Sequence, residues 1–311
     1  MKFTIYQESR QGARKLNQDR VGYCYSRDAL LMVVADGMGG HLHGEVAAQI
    51  AVQFLTEAFQ REARTRLSNP ARFLHDGITD AHHALERFAV GRDLGETPRT
   101  TCVASIVQDG IATWAHVGDS RLYHLRDGRI QAQTRDHSKV QWLVDTGRLR
   151  QEAAGRHPER NKVLNCLGGA QPPQVELSRA NMLADGDSLI LCSDGLWSSL
   201  TPGMMTGALA SKGIRKAIPS LLDLAENRAG KSCDNLSVVA MTWADPAAVS
   251  APPTVPPGSG EFTTEVQAFA PTQPNADAEG RVESIGQGYL SEAEIERAIA
   301  DIRAAIRKRG P

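Results

Sequence analysis

Residues 100–134 read TTCVASIVQ (100–108), Asp109-Gly110, IATWAHV (111–117), Gly118-Asp119-Ser120, RLYHL (121–125), Arg126-Asp127-Gly128 and RIQAQT (129–134). Apolar and β-branched runs punctuated by Asp-Gly are strands joined by tight turns. Strands joined this closely pair antiparallel, because a parallel crossover needs about a dozen residues or more. Outward from this block, FTIYQ (3–7), VGYCY (21–25) and ALLMVVAD (29–36) lie upstream, and SLILCSD (188–194) and LSVVAMTW (236–243) lie downstream. Two helices stand between strands. GEVAAQIAVQFLTEAF (44–59) puts Ala47, Ile50, Ala51, Phe54, Leu55 and Ala58 on one face, and ARFLHDGITDAHHALERFA (71–89) has Pro70 at its entry. The helices are consecutive and not interleaved one by one with strands. The pattern predicts an α+β layered fold of two antiparallel sheets flanked by helix pairs.

The chain has 311 residues, 41% apolar and 23% charged, with a net charge of -1. That balance gives no global footprint for nucleic acid or anionic lipid. The longest apolar run, Ala29 to Ala35, is seven residues, whereas a spanning helix takes about 20. No apolar segment follows the N-terminus, and the five cysteines are scattered without a C-x-x-C. A cytoplasmic protein without disulfides or a zinc site is the expectation. Composition changes near residue 245, and seven of the fifteen prolines lie between Pro246 and Pro274. The organisation read from this is a catalytic domain over 1–245, a flexible Pro-rich linker over 246–290, and an amphipathic helix over 291–309. That helix opens on the capping box Ser291/Glu294 and carries Ile295, Ile299, Ile302 and Ile306 on one face. The stripe would dock on the chain's own domain or on a partner.

Acidic residues next to glycine at strand ends carry the chemistry. Asp36 ends an apolar strand and is followed by Gly37, Gly39 and Gly40. Asp194 and Gly195 repeat the arrangement, and Asp234-Asn235 immediately precede a strand. One such Asp-Gly is most simply a turn. Three of them suggest carboxylates held on rigid elements around a cleft, which repel one another without a cation. Oxygen donors suit a hard cation such as Mg²⁺ or Mn²⁺, and no His/Cys cluster competes in the sequence. Arg14, ahead of Asn17-Gln18-Asp19, is either a surface arginine or a phosphate grip.

Taken together, these segments resemble the PPM (type 2C) family of metal-dependent Ser/Thr protein phosphatases, bacterial type. Arg14 to Asp19 stands at R-x-x-N-E-D, Asp36 to His41 at D-G-x-G-G-H, and Arg99-Thr100-Thr101 at G-T-T. Val117 to Arg121 is V-G-D-S-R, Asp136 to Ser138 is D-H-S, and Asn161 to Gly168 stands at N-x-L-x-x-x-L-G. Ser193 to Leu196 is S-D-G-L, and Asp234 to Ser237 is D-N-x-S. The resemblance implies a four-layer α-β-β-α sandwich with two tightly bound Mn²⁺ or Mg²⁺ ions at one end and a third, weaker one. By carry-over, Asp36 bridges both tight ions, the Gly37 carbonyl binds the first, and Asp194 and Asp234 bind the second. Asp19 holds metal-bound water, Arg14 grips the substrate phosphate, Asp136 helps bind the third ion, and residues 147–160 form a mobile flap. Gln18 departs from the family's glutamate, and Arg99 from its glycine.

The implied reaction is hydrolysis of phosphoserine or phosphothreonine in proteins by a metal-bound hydroxide, opposing a bacterial Ser/Thr kinase. The partners implied are a phosphoprotein and a cognate kinase system. A catalytically dead, phosphoprotein-binding family member is the rival. It would lack a metal aspartate, and Asp36, Asp194 and Asp234 are all present. Cys192 reads as a buried strand cysteine, His82 and His83 as structural or solvated, and His41 and His43 as loop histidines with His41 the better acid/base candidate.

Overall fold

Every side chain from Ala29 to Ala35 is buried, on both faces of its strand. A computed structural model, describing residues 1–38, 43–244 and 263–266, shows why. In chain order the strands are Lys2–Arg10 (β1), Asp19–Tyr25 (β2), Ala29–Asp36 (β3), Cys102–Gln108 (β4), Ile111–Val117 (β5), Arg121–Arg126 (β6), Arg129–Gln133 (β7), Glu176–Leu177 (β8), Asn181–Met182 (β9), Ser188–Cys192 (β10), Leu236–Ala244 (β11) and Thr263–Val266 (β12). The helices are Gly44–Glu62 (α1), Pro70–Gly91 (α2), Lys139–Asp145 (α3), Gln151–Ala154 (α4), Asp194–Trp197 (α5), Pro202–Lys212 (α6) and Ile214–Ala229 (α7). One sheet runs β1-β11-β10-β6-β7 and the other β12-β2-β3-β4-β5-β8, with β9 also on β5; every pairing is antiparallel.

Three apolar layers fill the spaces. Leu30, Met32 and Val34 point between the sheets and meet Leu189, Leu191, Val239 and Met241. Leu31, Val33 and Ala35 point the other way, into a cluster with Ile50 and Leu55 of α1 and Leu74 and Ile78 of α2. On the opposite outer face, Ile190, Val238 and Ala240 pack with Ile218, Leu221 and Leu222 of α7. This is the expected four-layer α-β-β-α sandwich, and a strand covered on both faces reads as a continuous apolar run.

Both Asp-Gly hairpins form with left-handed backbone at each central residue: φ is 54° and 71° at Asp109 and Gly110, and 51° and 68° at Asp127 and Gly128. That is the turn whose twist matches paired strands. The second loop is shorter than its sequence suggests, since Arg126 pairs with Arg129. Other differences have physical causes. α7 carries Pro219 inside it, a breaker signal overridden by burial of its apolar face. α6 buries only Met205 and shows little periodicity. Asp194 opens a helical turn and does not end a strand. Within the stretch read as linker, Thr263–Val266 pairs with the β2 edge, Thr263 opposite Tyr25 and Val266 opposite Gly22. The rest of 246–290, the helix expected over 291–309, and Gly39, Gly40 and His41 lie outside the described residues. No described helix is long and apolar enough to cross a membrane.

At the end of the sandwich away from Asp36 and Asp194, Asp187 is wholly buried. It accepts from His124 Nε2 at 2.8 Å, from Arg126 Nε at 2.8 Å and Nη2 at 2.7 Å, and from the Ala184 N–H at 2.9 Å. Burial alone would raise its pKa, but the Arg126 fork, the Ala184 amide and His124 hold it below the usual carboxylate value. A carboxylate depressed in the folded state stabilises the protein fully above its unfolded pKa, and that contribution disappears as pH falls through the folded value. Asp187→Asn is therefore expected to cost about 3 kcal/mol at pH 7. Melting curves across pH 3–7 check this: the deficit of the variant should shrink toward acid pH.

Candidate metal centre

Asp19 opens β2 and Asp36 closes β3, directly opposite each other in the ladder. The Asp36 carbonyl accepts from the Thr101 N–H at 2.8 Å and from Thr100 Oγ1 at 2.9 Å, and its own N–H donates to Thr101 Oγ1 at 3.1 Å. The Thr pair therefore fixes the strand end on which Asp36 sits. Arg99 keeps this geometry, its carbonyl accepting from the Met38 N–H at 3.0 Å. A side chain at Gly37 would place Cβ 2.3 Å from the Gly44 carbonyl oxygen, so only glycine lets the Asp36 turn lie against the start of α1.

The second pair of carboxylates comes from the other sheet. Asp194 follows β10 and Asp234 precedes β11, its antiparallel neighbour. A Cβ on Gly195 would lie 2.1 Å from the Asn235 carbonyl oxygen, so the contact between these two turns requires glycine. Asn235 ties them to the N-terminal loop: its Nδ2 donates to the Gln11 and Leu16 carbonyls at 2.8 and 3.0 Å, and its Oδ1 accepts from the Gln18 N–H at 2.9 Å. Ser193 Oγ donates to Asp19 Oδ2 at 2.7 Å, joining the two sheets at this end.

The electrostatics follow from this crowding. Burial, then the charges of Asp19, Asp194, Asp119 and Asp234, push Asp36 well above the ordinary carboxylate range. Burial followed by Asp119, Asp234 and Asp19 does the same to Asp194. Burial raises Asp19 to about 6, against hydrogen bonds from Ser193 and Ser237. Burial and Asp136 raise Asp119 to about 7. Mutually repelling carboxylates, all oxygen donors, are the donor set of a hard divalent cation, and the residues fit one.

Arg14 lies across Asp234, donating from Nε to Oδ1 at 2.7 Å and from Nη2 to Oδ2 at 2.6 Å. Gln18 turns its amide to Glu45, with Nε2 donating to Oε2 at 3.1 Å; a glutamate here would face another carboxylate. Asp136 lies close enough to Asp119 to raise its carboxyl, and Arg121 donates to both its oxygens, each at 2.7 Å, leaving each oxygen a second lone pair. Asp119 is a further carboxylate at this end of the sandwich, one that sequence reasoning did not single out. It is buried, and it heads the charges that raise Asp194. Its signal was V-G-D-S-R, where Gly118 at φ 106° packs against Thr101. The segment read as a flap contains the single turn α4.

Among the described residues the structure also assembles two His/Glu groups, one local to α2 and one from segments distant in sequence. His116, His137 and Glu176 bring ligand-type atoms within 4.8 Å of one another, as do His82, His83 and Glu86. His137 Nδ1 accepts from the Gly118 N–H at 3.2 Å and meets Asn165 Nδ2 at 2.7 Å, so its proton sits on Nε2, facing Glu176 at 3.3 Å. His82 Nδ1 likewise accepts from the Gly168 N–H at 3.1 Å. Both imidazoles serve as hydrogen-bonded struts under glycine turns. Cys192 is fully buried and its thiol is pushed up to about 12 by burial, which removes it as a nucleophile.

Comparisons with known proteins show the family and the fold. The family model described as protein phosphatase 2C matches residues 7–216. A serine/threonine phosphatase stp of Listeria innocua is 32% identical over 209 residues, 67% of this chain and 82% of the relative. The crystal structure of the Mycobacterium tuberculosis serine/threonine phosphatase PstP/Ppp superposes with a TM-score of 0.69 at 30% identity, over 78% of this chain and 99% of that one. A PstP catalytic domain in complex with two manganese ions superposes with a TM-score of 0.66 at 29% identity, over 78% and 99%. The chain belongs to the protein phosphatase 2C (PPM) family of metal-dependent serine/threonine protein phosphatases.

Proposed function

We propose that this phosphatase hydrolyses phosphoserine and phosphothreonine in proteins at the cluster formed by Asp36, Asp194 and Asp234, opposing a bacterial Ser/Thr kinase. The observation that carries the reading is the convergence of these three carboxylates from both sheets, beside the Gly37 turn and under Arg14. Asp36 and the Gly37 carbonyl would hold one Mn²⁺ or Mg²⁺ ion, and Asp36, Asp194 and Asp234 a second. Asp119 would serve a weaker third, with Asp136, held by Arg121, beside it. When bound, such ions supply positive charge against the phosphate and acidify a water between them. Asp19, held by Ser193, orients the attacking water from behind the cluster. Arg14 passes from Asp234 to the substrate, where its fork matches two equatorial phosphate oxygens and offsets charge as the ester bond lengthens. Water would form the new P–O bond directly as the ester P–O bond breaks, so no covalent enzyme intermediate forms, and the leaving serine or threonine oxygen takes up a proton from water.

Hydrolysis of an aryl phosphate and of a phosphothreonine peptide, with Mn²⁺ and after EDTA, tests the reading. Activity that survives exhaustive chelation would overturn it. Asp36→Asn, Asp194→Asn and Asp234→Asn should each reduce turnover about 100-fold or more at limiting Mn²⁺ with the fold intact. Wild-type rates in any one remove that residue from the centre. Gly195→Ala should weaken Mn²⁺ binding about tenfold by driving Asp194 from Asp234, whereas Gly203→Ala, whose Cβ meets nothing within 4 Å, should leave it unchanged. Calorimetric titration with Mn²⁺ distinguishes the two. Arg14→Ala should raise KM for the peptide about tenfold while metal affinity holds. An unchanged KM would make Arg14 a partner of Asp234 only.

A further inference from the structure

Trp197 is the last residue of α5, and Asp194 is the first. The indole Nε1–H reaches back to the Asp119 carbonyl oxygen at 3.0 Å. On its ring face lies the Arg121 guanidinium, with Cζ 3.5 Å from the centroid. Arg121 is in turn held by its fork on Asp136 and by a 3.1 Å bond from Nη1 to the Tyr123 hydroxyl. One helical turn thus carries a proposed metal carboxylate at its start and, at its end, the anchor of a second. We infer that Trp197 is a positioning residue that fixes Asp119 against Asp194. The spacing between these carboxylates is set by the rigid turn of α5 and by the Arg121–Asp136 pair stacked on the indole. Asp136 takes its place here, as a support of the centre.

A tryptophan in this position has a simpler use, since its ring also packs against the apolar cluster under α7. Phenylalanine would serve that use equally. Only tryptophan joins a broad face for the guanidinium to an N–H for the carbonyl. The inference rests on assigning Asp119 to the centre, and the test separates the two claims. The full chain is titrated with Mn²⁺ by calorimetry as wild type, Trp197→Phe, Asp119→Asn and the double variant, with thermal melts of each. Trp197→Phe is expected to weaken the weakest Mn²⁺ site about tenfold, leaving the tight sites and the melting temperature unchanged. Asp119→Asn should abolish that site, and adding Trp197→Phe should then cost nothing further. Should Trp197→Phe fail to fold, Trp197→His, which restores a ring N–H, should fold and bind the weak ion more tightly than Trp197→Leu. A weak site untouched in Trp197→Phe, or a loss that adds in full to that of Asp119→Asn, overturns the positioning role alone. A wild-type isotherm without a weak site overturns the assignment of Asp119 and this inference with it.

Discussion

Buried carboxylates within reach of one another repel, and the rest of the molecule is arranged to hold them together. Burial and mutual charge raise Asp19, Asp36, Asp119 and Asp194 together. No single loop could impose that crowding. It takes two sheets, each rigid because its central strands are buried on both faces, to bring carboxylates to one edge from opposite sides. The apolar layer of Leu30, Met32, Leu189, Leu191 and Val239 between the sheets thus sets the distance across which Asp36 and Asp194 face each other. A divalent cation bound among these carboxylates would relieve the repulsion that this layer sustains.

Rigidity at the strand ends comes from hydrogen bonds made to the backbone. The Thr100 and Thr101 hydroxyls engage the backbone of Asp36 and spare its carboxylate. Asn235 uses both amide protons and its Oδ1 on backbone groups of the 11–18 loop. His137 holds Gly118 from both sides, through its ring nitrogen and its own N–H. The same logic explains why the family motifs look polar and small. Threonine, asparagine, serine and glycine are the residues that can bond to backbone or admit it closely without adding charge.

Much of this was legible in sequence where the signal was local. Asp109-Gly110 and Asp127-Gly128 announce hairpins because left-handed backbone is cheap for them, and α1 and α2 announce themselves through their apolar period. Asp36 and Asp234 were readable as carboxylates at strand ends, and Asp194 as a carboxylate beside glycine, although it opens α5 and does not end a strand. What stayed hidden depended on distant partners. Pro219 masks α7, whose existence is decided by the sheet beneath it. Asp119 looks like a turn residue until β4 and α5 close around it. His116, His137 and Glu176 are far apart in sequence, and only the pairing of β5 with β8 sets His116 opposite Glu176. Thr263–Val266 is a β-branched run inside a Pro-rich stretch, and the composition of the whole concealed it.

Two arginine–aspartate forks flank the site, and burial decides what each can do. Arg121 and Asp136 retain only 19% and 6% of their side-chain exposure, whereas Arg14 and Asp234 retain 57% and 32%. Breaking a buried pair leaves a desolvated charge without a partner, at a cost of roughly 3–5 kcal/mol. An exposed pair is worth about 1 kcal/mol or less, because water and salt replace what is lost. The geometry of the two forks is nearly the same, so the difference lies in the surroundings. Arg121 is committed: clamped on Asp136 and pressed on Trp197, it can only support. Arg14 is exchangeable, and a phosphate dianion offers its fork the same two-oxygen pattern with more charge. Surface position, which in sequence made Arg14 indistinguishable from any solvated arginine, is the property that would free it for the substrate phosphate proposed above.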